Sequence, residues 1–209
     1  MGKSENRTVS MKTFDALYNS VMQNELGYNP NDQGAPTYNG IWRKAWPLWE
    51  GWALIDKISG KKRGQTFYDA YPELEELTKK FYSTYWMPVQ VNKLTDLRMA
   101  QMLVDMATQH GRWKKIVYAG IYGGNPLAAN APAVYGKKEI DFINADTAAA
   151  YKKIAEKRLF YSSNVFLKNE ADRKGIVNRA KKYLAIAAKW AAGSAAAGSV
   201  ILLAAAFFF

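Results

Sequence analysis

Two carboxylates and a hydroxyl lie close together near the start of the chain, at Glu25, Asp32 and Thr37. Hydrolysis of a glycosidic bond needs such a set. A protonated carboxyl delivers a proton to the leaving oxygen, and a second group holds water or stabilises the oxocarbenium-like transition state. Glu25 is therefore a candidate catalytic acid, and Asp32 and Thr37 are candidates for the second group if the loop that carries them folds back towards Glu25. The alternative for this spacing is a pair of solvated surface carboxylates.

The sequence contains few of the residues that other hydrolytic mechanisms require. The chain has 209 residues with no cysteine and one histidine, His110. Disulfides, a cysteine nucleophile and a metal site built from several histidines are thereby excluded. Carboxylates remain to carry the chemistry, and carboxylate-driven hydrolysis needs no cofactor. We predict neither a cofactor nor a metal.

The charge balance is strongly basic. Twenty-nine Lys and Arg face 18 Asp and Glu, a net charge of +11 and a pI of about 9.6. Such a balance suits a nucleic acid, an anionic membrane surface or a cell wall with acidic polymers. A generally basic, solvated surface is equally compatible with it. No nucleic-acid-binding motif accompanies the charge, so we do not predict a nucleic-acid partner.

Helical periodicity dominates the elements that would position Glu25. Apolar residues recur at three- and four-residue spacing in six segments, which predicts helices over about 11–24, 70–85, 94–109, 112–120, 145–163 and 170–189. Glu25 ends the first of these, at the lip of a polar loop over residues 27–34. Sustained strand alternation is missing, and only residues 66–68 and 133–135 are strand candidates. The fold class predicted is all-α, with at most a minor β-hairpin.

Residues 40–58 carry four tryptophans, spaced four, three and three apart, at positions 42, 46, 49 and 52. This spacing predicts one face of a further helix, although Pro47 would kink or restart it. Such a stripe is more often core than a binding surface. Because indole rings stack on sugars and donate a hydrogen bond, Trp42 is nevertheless a candidate substrate-binding residue.

The two termini differ in character. Residues 1–10 are polar and contain no apolar stretch of a secretory signal peptide. Residues 190–209 form a run of twenty without a charge, preceded by several basic residues. This pattern predicts a membrane-inserting tail, with a C-terminal helix packed on the domain as the alternative. We expect the protein to be cytoplasmic before release, or membrane-associated.

A family resemblance adds to this interpretation. Residues 14–17 read Phe-Asp-Ala-Leu, and residues 25–41 read Glu-Leu-Gly-Tyr-Asn-Pro-Asn-Asp-Gln-Gly-Ala-Pro-Thr-Tyr-Asn-Gly-Ile. They resemble glycoside hydrolase family 108, phage-type N-acetylmuramidases that include secretion-activator proteins, in which a helix ends in Glu-Gly-Gly-Tyr before an Asp/Gly/Thr loop. Residues 81–86 resemble its Tyr-Trp segment, and residues 103–111 resemble its Phe-Asp-x-Ala-Val-Asn-x-Gly helix.

The resemblance extends over about residues 11–180 and implies a lysozyme-like helical domain that cleaves peptidoglycan. It implies a catalytic part over about 11–90 and a peptidoglycan-binding-like part over about 91–182, which would act on the cell wall. Composition, and not the resemblance, sets apart an apolar tail over 183–209. Glu25 matches the family's catalytic glutamate. Tyr28 in the loop and Tyr85 and Trp86 in the aromatic segment become candidate substrate-binding residues.

Three departures from the family pattern leave a second function open. Leu26 replaces a glycine, the loop between Glu25 and Asp32 is two residues shorter, and Gln109-His110 stands where an asparagine is usual. A non-catalytic structural or wall-binding protein with a lysozyme-like fold, such as a part of a phage particle or injection apparatus, is the alternative to a muramidase.

Overall fold

A computed structural model describes residues 11–25, 27–165 and 170–191, and within these ranges the chain is mostly helical. The helices are α1 (Met11–Met22), α2 (Gly51–Ile55), α3 (Glu73–Tyr85), α4 (Leu97–Gln109), α5 (Trp113–Tyr122), α6 (Lys137–Ala145), α7 (Thr147–Asn164) and α8 (Glu170–Ala191). The strands are β1 (Tyr28–Asp32), β2 (Ala35–Tyr38) and β3 (Ile41–Trp42), and two 3₁₀ turns span Met87–Val89 and Val91–Lys93.

The chain divides into two compact units, an N-terminal unit that ends at Asn92 and a C-terminal unit that begins at Lys93. In the N-terminal unit, α3 packs against α1 and α2. Its core combines aliphatic side chains with aromatic rings from the helices and the sheet. The most deeply buried apolar side chains of this unit are Val21, Tyr38, Ile41, Ile55, Leu74, Tyr82 and Val89.

The three strands form one antiparallel sheet in the order β1-β2-β3. Asp32 pairs with Ala35 across the first turn, and Tyr38 pairs with Ile41 across the second. Each turn therefore has two residues, and both have positive φ: Gln33 and Gly34 in the first, Asn39 and Gly40 in the second. Two residues with positive φ make the type I′ turn, whose twist suits a β-hairpin.

The C-terminal unit is a helical assembly in which α7 packs against both α5 and α8. Two helix starts are fixed by side-chain caps. The carboxylate of Asp96 accepts hydrogen bonds from the backbone N–H groups of Arg98 and Met99 before α4. Asp146 does the same for Ala149 in α7. Such caps satisfy backbone donors that a helix start leaves unpaired.

The predicted helices over 11–24, 70–85, 94–109, 112–120, 145–163 and 170–189 are confirmed as α1, α3, α4, α5, α7 and α8. The predicted helix over 40–58 is wrong. Trp42 lies in β3, Trp46 and Trp49 lie outside helices and strands, and only Gly51–Ile55 is helical. Pairing of β3 with β2 takes the start of this segment, and Pro47 has no N–H to continue a helix.

The strand predictions are also wrong. Residues 66–68 and 133–135 are not strands. The sheet lies instead between residues 28 and 42, so it begins in the predicted polar loop and ends in the predicted helix over 40–58. The expected minor hairpin is a sheet of three strands.

The predicted apolar tail falls mostly outside the described residues, which end at Ala191. Within the described part of the chain, none of the helices combines the length and apolar character needed to cross a bilayer. The start of the predicted tail, up to Ala191, is the end of α8. There the Trp190 ring packs 5.4 Å from that of Tyr151.

Candidate active site

Glu25 lies three residues after the end of α1. The helix ends at Met22, and backbone hydrogen bonds from Asn24 to Val21 and from Glu25 to Met22 continue its last turn. Glu25 is partly exposed at this point, ahead of β1. The periodicity of α1, which buries Leu17 and Val21, thus fixes where the carboxylate leaves the core.

The carboxylate of Glu25 lies against the second hairpin turn. A Cβ atom built on Gly40 would be 3.0 Å from Glu25 Oε2 and 2.6 Å from the Tyr82 hydroxyl. Both oxygens are therefore neighbours on the same side of this glycine, which itself is exposed. A side chain at position 40 would occupy the space in front of the acid, so the turn leaves the Glu25 carboxylate open only because residue 40 is glycine.

A chain of hydroxyl and amide groups supports this turn from within the core. The Tyr82 hydroxyl donates to the Asn39 backbone carbonyl at 2.5 Å, and the Asn39 side-chain amide donates to the Tyr68 hydroxyl at 2.6 Å. The Tyr68 hydroxyl is in turn 3.2 Å from that of Tyr18. Burial, followed by the hydrogen bond to Tyr68, raises the pKa of Tyr18, so this end of the chain stays protonated.

Asp32 and Thr37 are brought together on the first hairpin. The Thr37 hydroxyl donates to Asp32 Oδ2 at 2.8 Å, and the Trp42 indole N–H donates to the Asp32 backbone carbonyl at 2.8 Å. Thr37 is buried and Asp32 is partly exposed. The hydroxyl therefore fixes the orientation of a carboxylate that faces solvent with its remaining lone pairs.

The predicted substrate-binding aromatics divide by burial. Tyr28 and Trp86 are 7% and 4% exposed, and their rings pack on Phe67 and Tyr82 respectively. Trp42 and Tyr85 are partly exposed, so parts of their rings are accessible at the surface. Accessible ring surface is what stacking on a sugar requires.

Tyr82 and Asn39 are residues of the site that the sequence interpretation missed. Asn39-Gly40 between two short β-prone runs is the strongest short-range sequence signal for a hairpin, and it locates the turn beside Glu25. No local signal marks Tyr82, because it meets the turn across 43 positions of sequence. In the described ranges, no cluster of three or more His, Asp or Glu side chains is arranged to hold a metal ion.

Comparison with known protein families gives one match. The sequence model of glycosyl hydrolase 108 matches residues 18–111. Residues 18–111 belong to the glycosyl hydrolase 108 family. No curated protein sequence and no solved structure matches the chain.

The glycosyl hydrolase 108 region contains every candidate site residue, from Glu25 to Trp86, and confirms the family resemblance, while the roles of these residues stay predictions. It continues through α4 and ends at Gly111, so the expected extension to residue 180 lies beyond it. The chain therefore carries a glycoside hydrolase domain, and within it Glu25 is a partly exposed acid just after the end of a helix.

Proposed function

We propose that the chain is a peptidoglycan hydrolase of the N-acetylmuramidase type, with Glu25 as its general acid. The observation that carries the proposal is the position of Glu25 within the glycosyl hydrolase 108 region. Its carboxylate stands beside the bare backbone of Gly40 and the hydroxyl of Tyr82. A general acid needs a protonated oxygen within reach of the glycosidic oxygen, and a turn without a side chain admits a sugar ring to that distance.

Asp32 and Thr37 complete the proposed reaction. After Glu25 protonates the leaving oxygen, positive charge develops on the sugar ring, and a second carboxylate stabilises it or activates water. Asp32 is the carboxylate proposed for this role. Thr37, which donates to it, is the positioning residue that holds Asp32 in one rotamer.

The partly exposed rings of Trp42 and Tyr85 are proposed to bind the glycan by stacking. The indole of Trp42 also donates to the Asp32 backbone, so a sugar on this ring would lie close to the proposed second carboxylate. Tyr28 and Trp86 bury their rings, and their proposed contribution is to hold the loop and the aromatic segment in place. The C-terminal unit is proposed to assist as a peptidoglycan-binding part.

The experiment is a turbidity-clearing assay on purified peptidoglycan. We expect Glu25→Gln to lower the rate on the order of 10²–10⁴-fold, because the variant cannot donate a proton. Glu50→Gln is the matched control, since Glu50 is an exposed glutamate of the same unit that pairs with Lys80. Asp32→Asn and Thr37→Val enter the same assay, with the larger loss expected for Asp32→Asn.

Product analysis tests the bond that is cleaved. A muramidase releases fragments with N-acetylmuramic acid at the reducing end, so reducing ends on N-acetylglucosamine would contradict the muramidase assignment. Clearing by Glu25→Gln at the wild-type rate would contradict the role of Glu25. If the wild type binds walls and clears none, the non-catalytic wall-binding alternative holds instead.

A further inference from the structure

Three aromatic rings form a row on the surface of the C-terminal unit. The ring centroids of Tyr118 and Tyr122 on α5 are 4.6 Å apart, and those of Tyr122 and Phe142 on α6 are 6.2 Å apart. Tyr122 is 50% exposed and Phe142 is 39% exposed. Exposed aromatic rings that adjoin one another mark interaction sites more often than scattered apolar residues do.

The middle ring of this aromatic row is held in place. The Tyr122 hydroxyl donates to Glu139 Oε1 at 3.1 Å, while Glu139 Oε2 accepts the Gly136 backbone N–H that begins α6. Glu139 is itself buried. Tyr122 thus presents its ring to solvent without being free to turn, which lowers the entropy lost when a ligand stacks on it.

An open pocket of about 340 Å³ continues the aromatic row, and Tyr118 belongs to both. Gly123 and Gly124 form one wall, where an added Cβ would meet no atom within 4 Å. Asn125 and Asn130 also line the pocket, and side-chain amides can both donate and accept hydrogen bonds. The volume lies in the range of small-ligand sites, and the bare backbone and amides suit hydroxyl and acetamido groups.

Two lysines of α7 border the row and the pocket. Lys153 Nζ lies 5.9 Å from the centroid of the Phe142 ring, and Lys157 Nζ donates to the Gly124 carbonyl at 2.8 Å. They belong to the more basic part of the chain. Residues 93–209 hold 18 Lys and Arg against 8 Asp and Glu, so they account for +10 of the net +11. The ammonium groups of Lys153 and Lys157 are therefore positive charges beside the rings and the pocket that can attract an anionic ligand.

We propose that the aromatic row and its pocket form a second, non-catalytic binding site for a saccharide chain that carries carboxylates. The rings stack on the C–H faces of successive sugars. One sugar substituent enters the pocket against Gly123 and Gly124, and Lys153 and Lys157 attract the carboxylates. The identification of the bound saccharide as peptidoglycan rests on the proposed function. The evidence for the binding site itself does not depend on it.

The test measures binding of the full-length Glu25→Gln chain, which removes the proposed general acid, to insoluble peptidoglycan by co-sedimentation. We expect Tyr122→Ala/Phe142→Ala to raise the dissociation constant about tenfold or more. Tyr122→Phe keeps the ring and should keep most of the affinity. Asn130→Trp fills the pocket from an exposed position and should weaken binding without removing a ring. Leu97→Ala, an exposed apolar residue on α4, is the matched control.

The contribution of the two lysines is tested in the same Glu25→Gln protein. We expect Lys153→Gln/Lys157→Gln to weaken binding severalfold and to flatten its dependence on salt, whereas Lys181→Gln on α8 should have little effect. Chitin, an uncharged polymer of N-acetylglucosamine, should bind more weakly than peptidoglycan, with little salt dependence.

Unchanged affinity in both Tyr122→Ala/Phe142→Ala and Asn130→Trp would overturn this inference, as would loss of affinity in Leu97→Ala alone. Because these measurements use a chain without Glu25, they are independent of wall clearing. If the wild type clears no walls while the aromatic-row variants lose binding, the proposed catalysis fails and the second site stands.

Discussion

Gly40 is the single residue on which access to the Glu25 carboxylate depends most. Its φ of +79° is disfavoured for any side chain, and a Cβ there would meet both Glu25 and Tyr82. Gly34 occupies the same position of the first hairpin turn, with φ of +88°, yet a Cβ there would meet no atom within 4 Å. A side chain at Gly34 would cause backbone strain alone, whereas one at Gly40 would cause strain and also block the site. Substitutions at the two glycines therefore distinguish the two effects.

We therefore expect Gly34→Ala to lose about 1 kcal/mol of stability, from backbone strain alone, and to keep its activity. Gly40→Ala should lose a similar amount or more and lower the wall-clearing rate at least tenfold. Chemical unfolding followed by clearing assays on the folded fraction would measure both. Equal residual activity in the two variants would argue against a site in front of Gly40.

At the residue scale the sequence offered Glu25 as a candidate acid, which stays a prediction, but not its surroundings. Glu25 was chosen because helical periodicity stops just before it and because it matches the family's catalytic glutamate, and both are local signals. Its neighbours Gly40 and Tyr82 are distant in sequence and meet it only when β2 and α3 fold against α1. The hydrogen bond between Asp32 and Thr37 could have been predicted, because the two residues are only five positions apart across a two-residue turn.

Among the elements, α4, α7 and α8 are joined by a buried ion cluster. Asp105 on α4 accepts hydrogen bonds from Arg158 on α7 and Arg179 on α8, and all three side chains are buried. Burial alone would raise the pKa of Asp105, but the charges and hydrogen bonds of the two arginines outweigh it and hold the pKa below its ordinary value. Removing one partner from such a cluster is strongly destabilising.

His110 lies at the end of α4, 5% exposed, with its ring 5.2 Å from that of Tyr161. Burial, reinforced by the charge of Arg158, lowers its pKa to about 3. Because the unfolded-state pKa is about 6.5, the unfolded chain takes up the proton first as the pH falls. The stability linked to neutral His110 is thus present above about pH 6.5 and is lost toward pH 3.

We expect the wild type to lose about 2 kcal/mol of unfolding free energy between pH 7 and pH 5 from this residue. His110→Gln cannot titrate and should show a flatter profile in that interval, whatever its stability at pH 7. Asp105 does not interfere, since carboxylates contribute only below about pH 4. Denaturant unfolding at several pH values measures the slopes, and parallel profiles for the two proteins would contradict the assignment.

The helices were predictable from sequence to the extent that one apolar face repeats over several turns. α4, with Met99, Met102 and Met106 on its buried side, is such a case. The segment over 40–58 shows the opposite, because its tryptophans imitate a helical repeat while the Asn39-Gly40 turn and Pro47 impose turns and a short strand. Aromatic spacing alone therefore predicted the wrong element, and turn residues would have corrected it.

Across the whole molecule, the basic charge is not spread evenly. Residues 1–92 hold 11 Lys and Arg against 10 Asp and Glu, a net charge of +1, while residues 93–209 carry +10. The sequence contained this division, but it became meaningful only once the structure placed the boundary of the units at Asn92. The candidate acid belongs to the nearly neutral unit, and the aromatic row belongs to the basic one.

This division predicts that salt affects wall clearing and the chemical step differently. Raising the salt from about 0.05 M to 0.5 M shortens the range of charge interactions to a few ångströms, so attraction of an anionic wall to residues 93–209 should weaken. We expect clearing of peptidoglycan to slow severalfold. Hydrolysis of a short, uncharged glycan by the same enzyme should change little, because the nearly neutral unit carries the candidate site.

Two matched double variants test which unit causes the salt dependence of wall clearing. Lys152→Gln/Lys153→Gln removes two exposed charges from α7, and Lys57→Gln/Lys62→Gln removes two exposed charges from the N-terminal unit. The first pair should reduce both clearing at low salt and its salt sensitivity, whereas the second should leave both near the wild-type values. If clearing and short-substrate hydrolysis respond equally to salt, or if the two pairs behave alike, the charge of the C-terminal unit does not direct the enzyme to its substrate.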